Sequence, residues 1–355
     1  MSCYLSDDSS AIACTVFHYV DTEHVSQIFT GLSALAEKGV IRIRQRPWRD
    51  IGPNVPVPIS GRWFLLIELQ GARACFDLND GSGIDERLLA NVDFYFKRSF
   101  EPERYSTNEH RQKIHPLGFN YAVYNKNLDI WALQRMLQGS ARFRSVFRRL
   151  GLGLTFFPSV QEVENPPSAA NVPSVLFYTR LWDPHASAGE HAAEARETIN
   201  RSRVACVRAL KSAFGDAFVG GIEPSPLALQ LCPELLGGSQ VVAKQAYLRL
   251  VKSVPICVTT TGLHGSNGWK LGEYVACARA IVTEPLIHQV PGNFEAGSNF
   301  LRFVSPEDCV EQCRKLLDDA ALRDRMMRRN RQYYLSHLRP DVLVRNALSK
   351  MITDP

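Results

Sequence analysis

The stretch PICVTTTGLHGSNGWKLGEYVACARAIVT, residues 255–283, holds a complete strand, loop, helix and strand. The apolar and β-branched run Pro255–Thr260 predicts a buried strand, and Trp269–Arg279 has the apolar spacing of a helix. Ala280–Thr283 is a second short apolar strand. Parallel neighbouring strands need a crossover of a dozen or more residues, usually a helix, so the order indicates a βαβ unit and an α/β fold.

The same alternation continues on both sides of this stretch. In the second half it predicts strands Ser174–Thr179 and Ala217–Gly220 and helices Glu190–Phe214 and Ala243–Val251, followed by a helical stretch Pro306–Met351. In the first half it predicts strands Ile12–Tyr19, Val40–Arg44, Trp63–Leu69, Ala72–Leu78 and Val92–Phe96, and helices Glu23–Lys38 and Leu128–Leu150. We therefore expect mostly parallel sheets covered by helices on both faces.

The chain of 355 residues is long enough for about two domains at roughly 150 residues each. Residues 158–173 are rich in proline and lack apolar periodicity, which is typical of a linker. The predicted division is an N-terminal domain over 1–157, the linker, a C-terminal domain over 174–330, and a helical segment over 331–355.

Composition limits the compartment and the partners. Apolar residues make up 45% of the chain, and the nine cysteines include no CxxC pair, so we expect buried, reduced thiols and a cytoplasmic protein. No apolar run approaches the ~20 residues of a membrane-spanning helix. The net charge of +5 is too mild to call for nucleic acid, and no basic–aromatic interleaving occurs.

The loop before the predicted helix at Trp269 carries Gly262, Gly265 and Gly268. Glycines allow a ligand to approach the backbone, and the first amides of a helix attract phosphate. Lys270 adds positive charge, and Glu273, one turn further, can accept hydrogen bonds from ribose hydroxyls. These features predict a nucleotide diphosphate at the loop. The alternative is a tight strand-to-helix connection with no ligand.

The run from Gly262 through Gly268-Trp-Lys-Leu-Gly-Glu-Tyr to Ala280-Ile-Val-Thr-Glu-Pro resembles the donor-binding signature of glycosyltransferases with the GT-B fold. The resemblance covers roughly the second half of the chain, and the first half shares only the βα rhythm. It implies two Rossmann-like domains with parallel sheets facing a cleft, a donor site in the C-terminal domain, and an acceptor site in the N-terminal one.

Residue by residue, the resemblance implies that Glu273 binds the ribose and that Gly265–Gly268 forms the phosphate loop. It places cationic diphosphate contacts at Arg180 and Lys244 and a sugar-contacting loop at Asn299. The further candidates for neutralising the leaving phosphate are His264, Ser266 and Lys270. The large retaining group has a second glutamate where this chain has Gly265, so the stereochemistry stays open.

Sugar transfer with inversion also needs a base for the acceptor hydroxyl. Asp77 lies near the end of the predicted strand Ala72–Leu78 and Asp80 just after it, and His18 lies at the end of the first strand. Asp80 is preferred because Gly81 and Gly83 leave room for an acceptor. An aspartate beside glycine is also favoured in turns and caps for backbone reasons alone. No metal site and no bound cofactor are predicted, since the nucleotide sugar is a co-substrate.

The sequence thus predicts a metal-independent glycosyltransferase that uses a nucleotide sugar and a glycan, lipid-linked or protein acceptor in surface glycan assembly. The alternatives are a non-catalytic nucleotide-sugar-binding or scaffold protein and a nucleotide-sugar epimerase of the same architecture. A cluster of arginines in the C-terminal helices suggests peripheral contact with the inner face of a membrane; it consists of Arg323, Arg325, Arg328, Arg329 and Arg331.

Overall fold

A computed structural model describes residues 11–18, 23–53, 55, 63–125, 158–168, 174–186, 190–238 and 243–353. The chain forms two compact units. Unit 1 contains Met1–Glu162, His288–Gly292 and Leu335–Pro355, and unit 2 contains Val163–Ile287 and Asn293–Tyr334. The predicted helix Leu128–Leu150 lies outside the described residues, as do five residues of the predicted linker, 169–173. The predicted domain limits, the linker and the cleft stay predictions.

Unit 1 has one six-stranded sheet in the order β2-β1-β3-β4-β5-β6. Its strands are β1 (Ile12–His18), β2 (Ile41–Pro47), β3 (Phe64–Leu69), β4 (Ala72–Asp77), β5 (Phe94–Lys97) and β6 (Ile114–Pro116). Its helices are α1 (Ser26–Glu37), α2 (Glu86–Ala90), α3 (Val160–Val163), whose last residue belongs to unit 2, and α10 (Pro340–Thr353). The five strands and the first helix predicted in this half are confirmed, with ends shifted by up to three residues.

One strand departs from the parallel arrangement in unit 1, so its sheet is mixed, in line with the expectation of a mostly parallel sheet. Strand β3 pairs antiparallel with both β1 and β4, while the other pairs are parallel. Only Gln70 and Gly71 separate β3 from β4, and both have a positive φ, of 51° and 89°. Two residues cannot cross over to a parallel neighbour, whereas two residues with positive φ form a tight hairpin turn. The length of this connection therefore decides the strand direction.

The C-terminal helix α10 belongs to unit 1, where it packs on α1. A Cβ on Gly31 of α1 would lie 2.2 Å from the carbonyl oxygen of Pro340, so the two backbones approach closely. Lys38 Nζ lies 2.7 Å from Asp341 Oδ2, and Gln27 Nε2 donates to the carbonyl of Leu338. Hence the end of the chain covers the first helix of the first sheet.

Unit 2 has one five-stranded sheet, entirely parallel, in the order β11-β10-β9-β7-β8. Its strands are β7 (Val175–Thr179), β8 (Phe218–Ile222), β9 (Ile256–Thr259), β10 (Ala280–Thr283) and β11 (Leu301–Arg302). Its helices are α4 (Glu190–Phe214), α5 (Pro226–Leu231), α6 (Lys244–Ser253), α7 (Trp269–Ala276), α8 (Pro306–Asp318) and α9 (Ala320–Tyr333). Helix α4 and strand β10 have the predicted bounds, and the α/β class is confirmed for both units.

The core of unit 2 lies between the sheet and the helices α4, α8 and α9. Phe177, Val207, Val258 and Leu316 are among its buried members. All eight cysteines that the structure describes are buried and free, as the composition predicts. Among the described helices, none combines the length and the apolar content needed to span a bilayer.

Candidate functional site

The candidate site lies at the carboxyl ends of β7 and β9. The chain leaves β7 through α4 toward β8 on one side, and leaves β9 through α7 toward β10 on the other. This is the topological switch point of the sheet, where open α/β sheets bind their ligands. Arg180 directly follows β7, and the loop 260–268 directly follows β9. The strand order thus brings together two segments that lie about eighty residues apart.

The glycine-rich loop holds its own shape. The Gly262 amide donates to the Ser266 carbonyl at 2.9 Å, and the Ser266 amide donates to the Leu263 carbonyl at 3.1 Å. His264 and Gly265 both adopt the left-handed conformation, with φ of 59° and 65°. Ser266 is buried, whereas His264 is exposed. Gly265, where the resemblance places the second glutamate of retaining glycosyltransferases, therefore lies in a backbone turn in which a non-glycine residue is strained.

Helix α7 begins directly after the loop, with Gly268 as its N-cap. A glycine has no side chain to accept hydrogen bonds from the first amides of the helix. By contrast, Ser305 accepts from an amide in the first turn of α8, and Asp319 does the same for α9. The start of α7 therefore keeps the backbone polarity that attracts an anion.

Lys270 lies in the first turn of α7 and is half-buried. Its ammonium donates to the carbonyl of Tyr178 and lies 5.6 Å and 5.5 Å from the centroids of the Tyr178 and Tyr247 rings. Burial, followed by repulsion from Arg203, lowers the pKa of Lys270 to about 7, although Glu273 and Glu223 oppose the shift and Lys244 adds to it. An anion bound here would restore the charge that burial disfavours.

Lys244 and Glu273 form an ion pair between the starts of α6 and α7. Lys244 Nζ contacts Glu273 Oε1, and the glutamate side chain is 1% exposed. The second oxygen, Oε2, is buried and has no hydrogen-bond partner in the described part of the chain. A buried carboxylate oxygen without a donor is costly, so it is suited to accept a hydrogen bond from a ligand hydroxyl.

Three further residues of this site were not predicted from the sequence. Tyr178 lies in β7 and is 4% exposed, yet its hydroxyl has no partner among the described residues. Arg203 lies in the middle of α4, and Glu284 follows β10. The Glu284 carboxylate accepts from the Thr261 amide at 2.8 Å and thereby anchors the loop. The position of Glu284 directly after a predicted strand could have identified it as a candidate. Arg203 could not be singled out, because it lies in a helix with many other charged residues.

Two of the predicted donor contacts have other partners. Arg180 is exposed, and its guanidinium lies 4.1 Å from the centroid of the Trp182 ring. Asn299 is buried; its Oδ1 accepts from the Glu295 amide at 3.1 Å, and its Nδ2 donates to Asn330 Oδ1 at 3.0 Å. These bonds give Asn299 a structural role in the loop before β11, and its sugar contact stays a prediction.

In unit 1, Asp77 is fully buried at the end of β4. Its Oδ2 lies 2.9 Å from Lys97 Nζ and accepts from the Tyr95 hydroxyl at 2.7 Å. Its Oδ1 accepts from the Asn79 amide and side chain. The carboxylate is thus occupied by internal donors and shielded from solvent, so the geometry favours a structural role over that of a base.

Asp80 is more accessible, with a side chain that is 36% exposed and that contacts the buried guanidinium of Arg98. His18 closes β1, and its side chain lies outside the described residues. His24, which was not predicted from the sequence, stacks on Trp63 with ring centroids 3.5 Å apart. Burial, followed by repulsion from Arg98, lowers the pKa of His24 to about 4, although Asp80 opposes the shift. His24 is therefore neutral near pH 7.

Within the described residues, no group of histidine, cysteine and acidic side chains has the arrangement of a metal site.

Disrupting the buried ion pair between Lys97 and Asp77 tests whether Asp77 has a structural role. Replacing Lys97 with Met leaves the Asp77 carboxylate buried without its cation, and should lower the free energy of unfolding by roughly 3–5 kcal/mol. The matched control is Arg73→Met, which breaks a half-exposed pair with Glu68 and should cost about 1 kcal/mol or less. Urea denaturation measures both. An equal effect of the two substitutions would contradict the structural role.

The loop conformation is tested by two glycine substitutions. Gly265→Ala forces a side chain into the left-handed region, with its Cβ 2.5 Å from Ile287 Cδ1, and should lower the free energy of unfolding by about 1–2 kcal/mol. Gly268→Ala is the control, because Gly268 has φ of −63° and open space around its Cβ position; as an N-cap, where glycine is preferred to alanine, it should cost about 0.5 kcal/mol. A Gly268 variant that is the less stable of the two in thermal unfolding would contradict this geometry.

The pKa of Lys270 predicts how anion binding depends on pH. A bound diphosphate favours the charged amine, so affinity should be constant below pH 7 and fall above it by up to about tenfold per pH unit. A nucleotide sugar is the suitable probe, because its diphosphate does not titrate in this range. Lys270→Arg should bind independently of pH from 7 to 9. Calorimetry that finds a flat profile for the unmodified chain would contradict the assignment.

Residues 233–349 match a family model described as glycosyl transferase-like. The matched segment includes Lys244, the glycine-rich loop, Lys270, Glu273 and Asn299. The resemblance predicted for the C-terminal half is therefore confirmed. No curated protein matches the chain in sequence.

Solved structures similar to the chain include the C-terminal domain of a glycosyl transferase group 1 family protein (LpcC) from Francisella tularensis, at 11% identity and a TM-score of 0.34, covering 50% of this chain and 95% of that one. Anabaena Alr3699/HepE in complex with UDP and glucose is 10% identical with a TM-score of 0.39, covering 76% of this chain and 68% of that one. UDP-GlcNAc 2-epimerase from Neisseria meningitidis bound to UDP-GlcNAc is 10% identical with a TM-score of 0.38 and 76% of this chain covered. The chain covers 64% of that epimerase, less than two thirds of its length. The family match shows that the segment 233–349 is glycosyl transferase-like in sequence.

Proposed function

We propose that the protein is a glycosyltransferase that moves a sugar from a nucleotide-activated donor to a glycan, lipid-linked or protein acceptor. The observation that carries the proposal is the cluster at the starts of α6 and α7. There, two lysines lie around the buried carboxylate of Glu273 beside a glycine-capped helix. The cluster lies within the glycosyl transferase-like segment.

The chemistry of the cluster fits a nucleotide diphosphate. The leaving diphosphate gains negative charge as the glycosidic bond breaks, and fixed cations and helix amides stabilise such charge. Lys270 and the first amides of α7 supply both, so no metal ion is needed in this proposal. Glu273 Oε2 accepts from a ribose hydroxyl, and Lys244 keeps that carboxylate oriented through the ion pair at Oε1.

For the acceptor hydroxyl we propose Asp80 as the base, because it is the more exposed of the two aspartates at the end of β4. His24 is a second candidate, since a neutral imidazole can accept a proton. We further propose that the acceptor belongs to surface glycan assembly and that the enzyme works in the cytoplasm, peripheral to the membrane.

Gly265 supports one alternative, a nucleotide-sugar-binding protein without catalysis. The glutamate that retaining relatives have at this position is absent, and the left-handed turn does not favour one. The products formed from the nucleotide sugar, with and without an acceptor, decide between the alternatives. Release that needs an acceptor supports transfer, an isomerised donor supports an epimerase, and binding without turnover supports a scaffold.

The test of the donor site uses two variants and one control. In calorimetry with a panel of UDP, GDP, ADP and dTDP sugars, Lys270→Ala should weaken binding of the preferred donor about 10- to 100-fold, because a charge-assisted contact is lost. Arg249→Ala, an exposed residue of α6, should leave binding unchanged. An unchanged affinity for Lys270→Ala would contradict the diphosphate assignment.

Glu273→Gln tests the ribose contact separately. The unmodified chain should bind the 2′,3′-dideoxy form of the donor about tenfold less tightly than the ribose form. In Glu273→Gln this preference should nearly vanish. A full preference for ribose in the variant would remove Glu273 from the proposed contact, while leaving the role of Lys270 intact.

A further inference from the structure

Arg203 joins the carboxyl ends of the two strands that flank the switch point. Its side chain reaches from α4 and is 6% exposed. Nη1 donates to the carbonyl of Arg180, after β7, at 2.7 Å. Nε donates to Thr260 Oγ1, after β9, at 3.0 Å. The planar guanidinium thus fixes the distance between the two segments that form the candidate site.

The buried charge of Arg203 has no direct counter-ion in the described part of the chain. Among charged groups, Glu284 opposes the effect of burial on Arg203, but its carboxylate accepts from the Thr261 amide, the Thr261 hydroxyl and the Ser202 hydroxyl. Burial lowers the pKa of Arg203 to about 10. Buried charges are normally paired, and an unpaired one is costly. Such a charge beside a ligand site is compensated when an anion binds.

We propose that Arg203 is a positioning residue of the donor site, which sets the spacing between Arg180 and the Thr260–Thr261 segment and supplies positive potential to a bound diphosphate without touching it. The inference rests on the proposed donor site and adds to it a residue that neither the sequence motif nor the family match assigns.

A purely structural arginine would hold the two loops in place and have no effect on the charge of Lys270. Arg203 does have such an effect, because among the charged neighbours it lowers the pKa of Lys270 most. Lys244 acts in the same direction, and Glu273 and Glu223 act against it. Removing the charge of Arg203 should therefore make Lys270 a stronger base, even in the absence of ligand.

The test measures how fast the Lys270 amine reacts with an acylating reagent as a function of pH, read by mass spectrometry. The variants are Arg203→Met, which removes charge and hydrogen bonds, and Arg203→Lys, which keeps the charge but loses the planar fork. The matched control is Arg208→Met on the same helix, whose guanidinium and partner Glu234 are each 57% exposed.

Without ligand, Lys270 should titrate near pH 7 in the unmodified chain, in Arg203→Lys and in Arg208→Met, and about one pH unit higher in Arg203→Met. The concentration of inorganic diphosphate that protects half of Lys270 should rise at least about tenfold in Arg203→Met and severalfold in Arg203→Lys. Equal titration of Lys270 in Arg203→Met and Arg208→Met would overturn the proposal.

If Arg203→Met does not fold, Arg203→Lys provides the test. An equal concentration of diphosphate for half-protection of Lys270 in Arg203→Lys and Arg208→Met would then overturn the inference. If diphosphate fails to protect Lys270 in the unmodified chain, the proposed donor site is wrong. The ligand-free titration still decides whether Arg203 controls the charge of Lys270.

Discussion

The candidate site depends on the concentration of positive charge around one buried carboxylate. Lys244 forms an ion pair with Glu273, and Lys270 interacts electrostatically with both of them and with Arg203. The positive charges of this cluster repel one another, and this repulsion adds to burial, which is the larger cause, in lowering the pKa of Lys270. In the proposed function, a dianionic diphosphate would compensate these charges, and part of its affinity would come from that compensation.

The fold supplies what the cluster needs. The parallel sheet of unit 2 places the ends of β7 and β9 side by side, and the chain leaves them in opposite directions. The glycine-rich loop is held by its own backbone hydrogen bonds and by Glu284, so the start of α7 has a fixed position. A rigid frame matters because a diphosphate is recognised by groups that are already oriented before it binds.

Much of this could be predicted from the sequence. The strand, glycine-rich loop and helix around Trp269 have strong local signals, and the bounds of α4 and β10 followed from apolar periodicity alone. The place of Lys270 and Glu273 in the first turns of α7 followed from their distance to the predicted helix start. Their actual partners could not be predicted, since the pairing of Lys244 with Glu273 and the contact of Lys270 with Tyr178 depend on tertiary packing. Arg203 resembles any other charged residue of a long helix until the structure shows that it is buried.

The antiparallel direction of β3 was predictable from the two-residue connection at Gln70–Gly71, but the alternation of strands and helices favoured a mostly parallel sheet.

The most direct test of the central claim is a crystal structure of the chain soaked with a nucleotide diphosphate. The diphosphate should lie within hydrogen-bond distance of the amides that open α7, Lys270 should have moved from the Tyr178 carbonyl to a phosphate oxygen, and a ribose hydroxyl should donate to Glu273 Oε2. A nucleotide bound elsewhere, with Lys270 still on Tyr178 and Glu273 Oε2 still without a partner, would contradict it.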